Sequence, residues 1–451
     1  MATDRRRHLP SLIALGAYWL FLCPTAFANG RFPSASQLLV DRSDARHIVV
    51  GATYGLLETF DAGQQWSLIC EAGYGNTHSE DAALAVMNGT ILAGLQEGLS
   101  VASDGRGCAF QWAGGPLQKV TVIDETVEKN SPNHALALAS EAATVDGGFG
   151  FQNGLAESLD NGQSWQAAGA ALPEDLEALT VDVAASDSQR VYVSGISVAS
   201  AQNGIIERSD DRGASWTRSF IPDSPPGSLP FIAAIDPSNP DVVYVRITRQ
   251  QELLLVTSDG AKTWNTIYSA TSPILGFALA PDGRKVAVGS KAGIEVADTS
   301  SYAFQKTSGV AATCLTWGTA GLYACAPESS DGFSVGISED EGQHFEPLYH
   351  LGNDCTLDCP AQSSTATACG PLLCETAGDA GAARDAGPDA AALVDAGLPV
   401  GGAARGKAGC GCFLARGDGG DAGAALALTA GLVWLHRRLR SRSPNRSRPS
   451  S

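Results

Sequence analysis

The chain is poor in three things, and each absence narrows what it can be. Between residues 29 and 404 it has 18 Lys and Arg side chains against 45 Asp and Glu. Holding a phosphate backbone needs clustered Lys and Arg, so a nucleic-acid partner is excluded. The acidity itself needs no explanation beyond solubility. No stretch of 29–350 keeps the 3.6-residue apolar period of a long helix, which argues against a helical fold. No apolar run reaches the ~20 residues that carry a helix across a bilayer. Leu12 to Cys23 and Ala422 to Leu435 both fall short.

What is present is a core's worth of apolar residues, 44%, and 51 glycines, which suit a chain of many turns. The 451 residues are enough for two or three ordinary domains or for one large repeat domain. Residues 1–28 have the order of a secretory signal peptide. Arg5-Arg6-Arg7 is the basic region, Leu12 to Cys23 the apolar one, and Ala26-Phe27-Ala28 a small-x-small cleavage site. The mature chain would begin at Asn29, outside the cytoplasm.

One phrase recurs through 29–349: Ser or Thr, any residue, Asp, any residue, Gly, two more, then an aromatic. Its copies carry Asp61, Gly63 and Trp66; Asp160, Gly162 and Trp165; Asp211, Gly213 and Trp216; Asp259 and Trp264; Asp340, Gly342 and Phe345. In the fourth, Ala261 stands where Gly is expected and Gly260 precedes it, so that turn should shift by one residue. Two decayed copies fill the double-length gaps, one with Asp104 and Gly107, the other with Asp298 and Tyr302. Around each copy run short β-branched and apolar segments, such as Ile48-Val49-Val50-Gly51 and Gly204-Ile205-Ile206-Glu207, separated by Gly, Pro, Asp and Asn turns. Four strands per unit and seven units predict an all-β fold, a β-propeller of seven four-stranded blades over roughly 37–349; six and eight blades are the neighbouring counts.

The phrase resembles the Asp-box, or BNR, repeat of sialidases, sortilin-type receptor domains, some endoglucanases and photosystem II assembly factor propellers. The resemblance implies the propeller fold and no single activity. In such a turn the Asp carboxylate accepts backbone N–H groups, Gly takes a positive φ, and the aromatic ring is buried between strands. Carboxylates dispersed over seven blades cannot converge on one catalytic or metal site, so no cofactor and no metal is expected of them.

Eight cysteines lie in the exported body, and an even number there favours disulfides. A two-residue turn at Thr319-Ala320 would put Cys314 opposite Cys325. Cys70 and Cys108, in adjacent blades, form the second expected pair. Cys355, Cys359, Cys369 and Cys374, in a Cys-rich segment over 350–376, would pair among themselves with three connectivities open; four thiolates there could also hold zinc. Residues 377–405 form an Ala/Gly/Asp/Pro linker. Residues 406–451 join Cys410-Gly411-Cys412, the apolar run Ala422–Leu435 and a tail with Arg437, Arg438, Arg440 and Arg442. That order resembles the myxobacterial C-terminal sorting signal, MYXO-CTERM, which implies a short transmembrane segment and delivery to the cell surface.

Two functions fit. A sialidase-like enzyme would need an Arg-x-Pro motif, met by Arg31-Phe32-Pro33, and two further arginines. Arg246 is one candidate, no third is evident, and no Tyr/Glu nucleophile pair stands out. An endoglucanase-like enzyme needs two facing carboxylates, which 45 acidic residues do not single out. The better fit is a non-catalytic binding or scaffold module for a protein or glycan. Its irregular loops would lie at the end of the propeller away from the Asp turns. They carry Tyr74, His78, Glu80 and Asp81 in one loop and Phe149 and Phe151 in another. The phenylalanines offer an apolar contact or tuck against their own blade; His78 with Glu80 and Asp81 could bind a cation, or simply be solvated.

Overall fold

The computed structural model describes residues 34–351 and 359–373, apart from 146–147, 200–202, 223 and 249–251. Within them lie seven antiparallel sheets, each a meander of four strands in chain order. The blades run from Ala35 to Cys70, Ala83 to Trp112, Val122 to Ala168, Leu176 to Phe220, Leu229 to Ala270, Gly276 to Ser308, and Cys314 to Tyr349. Each first strand touches the next around an axis, and Cys314–Trp317 closes back on Ala35–Val40. The fold is a seven-bladed β-propeller, as the spacing of the phrase predicts.

Four of the seven second strands, among them Ile48–Ala52 and Val191–Ser197, are buried at every position because neighbouring blades cover both faces. The first strands pose a different problem, since each presents an unpaired sheet edge to the axis. Side chains of the preceding blade satisfy part of that edge. Thr316 Oγ1 donates to the Leu38 carbonyl at 2.5 Å, Val181 N donates to Asp124 Oδ2 at 2.7 Å, and Ile232 N donates to Thr180 Oγ1 at 3.0 Å. Four first strands carry bulges, which leave Ser36, Ile123, Leu179 and Ala233 out of the ladder. Bulges of this kind re-aim side chains and bend the strand at the rim of the axial space.

The Asp phrase closes the outer hairpin of its blade. Asp61 Oδ1 accepts N–H groups from Gln64 and Gln65, both at 2.9 Å, and Thr59 Oγ1 accepts from Gly63 N at 3.1 Å. Trp66 Nε1 donates to Gly63 O and to Leu348 O of the last blade. Two consecutive residues of the turn are left-handed, as in Asn161 and Gly162 with φ of 62° and 77°. Ala261 does not shift its turn: with φ 71° it sits at the Gly position, and its N–H still reaches Thr257 Oγ1 at 3.1 Å. A methyl group tolerates this φ at a cost of about 1 kcal/mol. Of the decayed copies, Asp104 still accepts from Cys108 N, whereas Asp298 pairs with Lys285 and leaves the turn to backbone bonds from Ser301 and Tyr302.

Two of the expected cysteine pairings are corrected. Cys70 bonds Cys369, and Cys108 bonds Cys359. The chain beyond the last blade returns over the outer edge of the first as the helix Ser364–Leu373, packed on Ser67–Cys70 and on the turn Glu71–Tyr74. Gly73 makes room for it, since a Cβ there would stand 2.8 Å from Cys369 Sγ. The four C-terminal cysteines therefore do not pair only among themselves; Cys355 and Cys374 lie outside the described residues. Cys314 and Cys325 stand opposite each other in register and are joined.

The ring thus closes without exchanging a strand. At its seam Leu38, Val50 and Trp66 pack with Tyr323, Val335 and Tyr349, and two disulfides hold the segment 359–373 beside blades 1 and 2. The expected membrane attachment is also corrected: among the described residues no helix is long and apolar enough to cross a membrane. The run Ala422–Leu435, Cys410, Cys412 and the first 28 residues lie outside the described residues.

Candidate functional site

In five blades the Asp turn bonds the loop that joins the first two strands, as where Ala62 N meets Arg46 O and Arg212 N meets Gln189 O. Those loops and the Asp turns therefore share one end of the propeller. At that end the axial space opens as a cavity of about 470 Å³. Small residues of blades 5 to 7, among them Ala233, Ala234, Ala278 and Gly318, leave the room. Phe277, Leu279, Leu315 and Trp317 give one side of it an apolar and aromatic wall, and Arg42 and Lys129 line it from blades 1 and 3. The loops singled out in the sequence, with Tyr74, His78, Glu80, Asp81, Phe149 and Phe151, lie at the opposite end.

Arg42 is accessible to solvent, yet the surrounding walls desolvate it and lower its pKa, and the charge of Asp182 only partly offsets this. Among the described residues neither Arg42 nor Lys129 has a carboxylate oxygen within 4.0 Å. A cation without a counterion in a partly desolvated cavity is a receptor for an anion. Deeper along the axis the lining becomes acidic, with Asp124, Glu125 and Asp182. Burial, followed by the charge of Asp182, pushes the Asp124 carboxyl up to about 7, and burial pushes Glu125 well above the usual carboxylate range. Both are engaged between blades: Asp124 accepts from Val181 N, and Glu125 Oε1 from Gly94 N. They are poorly placed to act as a free catalytic pair.

Beside the cavity, His47 sits buried between two carboxylates. Its Nδ1 is 3.2 Å from Asp41 Oδ2 and its Nε2 2.9 Å from Glu58 Oε1, and Asp41 Oδ2 also accepts from Gly89 N of the next blade. Burial works against the imidazolium, but the two carboxylates outweigh it and push the His47 pKa up to about 9. The trio is a charged lock between blades 1 and 2.

The far end of the axial space is lined mostly by apolar residues, such as Leu39, Phe231, Leu275 and Leu315, with Arg246 as its one arginine among the described residues. Arg246 lies over the Phe231 ring and donates to the Ile274 carbonyl at 2.9 Å. Arg190, Arg212 and Arg218 are held in ion pairs with Asp and Glu elsewhere in the blades. No arginine cluster for a carboxylate substrate forms at that end among the described residues; Arg31, Phe32 and Pro33 lie outside them.

The candidate loop residues separate. Tyr74 is buried against Phe110 and accepts from Asn76 Nδ2. His78 and Glu80 come together with Glu97, which belongs to the next hairpin, while Asp81 is exposed outside that group. Phe149 is 52% exposed near the tip of the long hairpin Ala135–Val145 and Gly148–Ser158; Phe151 is buried beneath it in an edge-to-face contact. Arg42 and Lys129 were missed. The signal for them lies in aligning the repeats: two residues past five of the seven first strands stand Arg42, Lys129, Pro237, Pro281 and Thr319, and all five line the cavity.

The family model of the photosynthesis system II assembly factor YCF48 matches residues 127–298, from blade 3 into blade 6 and well short of the C-terminal segment. The chain is thus a propeller with weak similarity to BNR-type family members. No curated protein matches it. Among solved structures it is similar to an ancestral GH74 enzyme, at 16% identity and a TM-score of 0.47, over 61% of this chain and 39% of that one. It therefore spans well under half the length of that enzyme. It is also similar to the Cps50 (Swd1) β-propeller domain of Myceliophteria thermophila, at 11% identity, 66% and 94% coverage and a TM-score of 0.45. YCF48 from Cyanidioschyzon merolae matches at 14% identity, 50% and 71% coverage and a TM-score of 0.35.

Proposed function

We propose that the chain is an exported propeller acting as a non-catalytic binding module, and that its axial cavity seats a carboxylate carried on an apolar stem by a protein or glycan. The observation that carries this is Arg42, desolvated beside Lys129 and without a carboxylate partner, facing the wall of Phe277, Leu315 and Trp317. The guanidinium and ammonium would take the carboxylate, and the rings the stem. Three disulfides and the signal-like leader support an oxidising compartment outside the cytoplasm. The glycosidase reading is weakened because Asp124 and Glu125 are engaged between blades and the arginines do not gather.

The test pairs arrays of acidic glycans and C-terminal peptides with hydrolysis assays on a fluorogenic sialoside and a β-glucan, using the disulfide-intact protein. Binding that Arg42→Gln weakens about tenfold or more, with no turnover, supports the proposal. Turnover of either substrate overturns it, as does binding that Arg42→Gln leaves unchanged.

A further inference from the structure

We propose that His78, Glu80 and Glu97 form a site for a divalent transition-metal ion at the end of the propeller away from the Asp turns. The three residues come from two loops that the sequence does not connect. His78 and Glu80 lie between blades 1 and 2, and Glu97 sits in the tight turn between Thr90–Leu95 and Gly98–Ala102. One ligand atom from each lies within 4.8 Å of the other two. His78 Nδ1 is 2.7 Å from Glu97 Oε1.

A second observation points to a cation. Glu97 is 36% exposed and its Oε1 is met by His78 Nδ1 and by Thr77 Oγ1, but its Oε2 is shut off from solvent and has no hydrogen-bond partner. Native structures rarely leave a buried carboxylate oxygen without a donor, and each such case asks for an explanation. A metal ion supplies the missing partner without needing a donor hydrogen.

The loop is held in place for the task. Asn76 is buried; its Nδ2 donates to the Glu80 carbonyl at 2.7 Å and its Oδ1 accepts from Glu80 N at 3.2 Å. Gln96 N donates to Glu80 Oε1 at 3.0 Å, which ties the two loops together. Below, the Cys70–Cys369 bond and the helix Ser364–Leu373 pin the turn Glu71–Tyr74 from which the loop springs. A positioned ligand set loses less order on binding than a mobile one.

The donor set selects the ion. One imidazole and two carboxylates suit Zn²⁺ or Mn²⁺, whereas Ca²⁺ and Mg²⁺ favour oxygen donors throughout. Three protein ligands leave a coordination position, and His78 is 53% exposed, so that position faces solvent. A water or a donor group of a bound partner can fill it. The site is at the opposite end from the wide axial cavity and stands whether or not that cavity binds a carboxylate.

The experiment is calorimetric titration of the chelator-stripped, disulfide-intact protein, without a histidine tag, with ZnCl₂ and separately with CaCl₂. The expected result is one Zn²⁺ per chain, no comparable heat from Ca²⁺, and a loss of about tenfold or more in affinity for His78→Ala and for Glu97→Gln. His344→Ala, at an exposed His–Asp pair on the other end, should bind Zn²⁺ like the wild type. Zn²⁺ should also raise the melting temperature of the wild type and not of the two site variants, whose metal-free melting temperatures match it. No Zn²⁺ binding up to millimolar concentration overturns the proposal. So does binding that neither site variant weakens.

Discussion

Replacing Cys70 and Cys369 by Ala tests how the ring is held shut. With Cys108–Cys359 intact, the unfolded chain regains only the freedom of the stretches between the two bridges, a loop of about 50 residues. Chain entropy puts that at about 4 kcal/mol, near the upper end of what native disulfides contribute. Removing Cys108 and Cys359 as well frees a loop spanning 251 positions, worth about 5 kcal/mol more on the same reckoning. Either single removal should therefore cost less than half of the double one. Urea unfolding, followed by far-UV circular dichroism and tryptophan fluorescence, reads this as a falling midpoint. The slope should rise in the double variant, because its unfolded state is less constrained. Trp66 reports on the seam directly, through its hydrogen bond to Leu348 O. If either single removal costs less than about 1 kcal/mol, the disulfide-bonded segment does not stabilise the ring and the reasoning fails.

The His47 lock sets a pH window. Its pKa is raised from 6.5 to about 9, so its contribution is complete below pH 6.5 and is lost as pH rises through 9; Asp41, held below the usual carboxylate range, loses its share only in acid. The wild type should lose up to about 3 kcal/mol between pH 7 and 10, and His47→Gln should flatten the curve; equal curves would refute the lock. Glu125, raised by burial, makes the fold less stable as pH climbs above 4.5, so Glu125→Gln should lose less stability than the wild type between pH 5 and 8 in matched urea titrations. Asp61→Ala leaves the N–H groups of Gln64 and Gln65 without their acceptor and should cost about 1 kcal/mol; a neutral outcome would show that water replaces the carboxylate.

The fold was legible because its signal is local and repeated. The Asp, the Gly and the aromatic each act within a few residues of themselves, so one copy read correctly fixes the others. Even Ala261 keeps the turn, since Thr257 and Asp259 carry its hydrogen bonds. What stayed hidden depends on contacts between distant segments. Cys70 meets Cys369 because a helix 299 positions away docks beside it, and no spacing rule encodes that docking. His78 and Glu80 were visible in one loop, but Glu97 belongs to another hairpin. Tyr74 and Phe151 looked like loop residues until packing buried them. Arg42 and Lys129 were within reach, had the repeats been aligned on the ends of their first strands rather than on the Asp phrase.

The most direct test of the axial binding seat uses a small carboxylate on an apolar stem, phenylacetate, followed by the indole N–H resonances of the tryptophans. Trp317 should shift on titration while Trp66 and Trp165, buried in the Asp turns, stay still, and Arg42→Gln with Lys129→Gln should abolish the shift. A Trp317 signal that does not move at saturating phenylacetate, or that moves equally in the double variant, would contradict it.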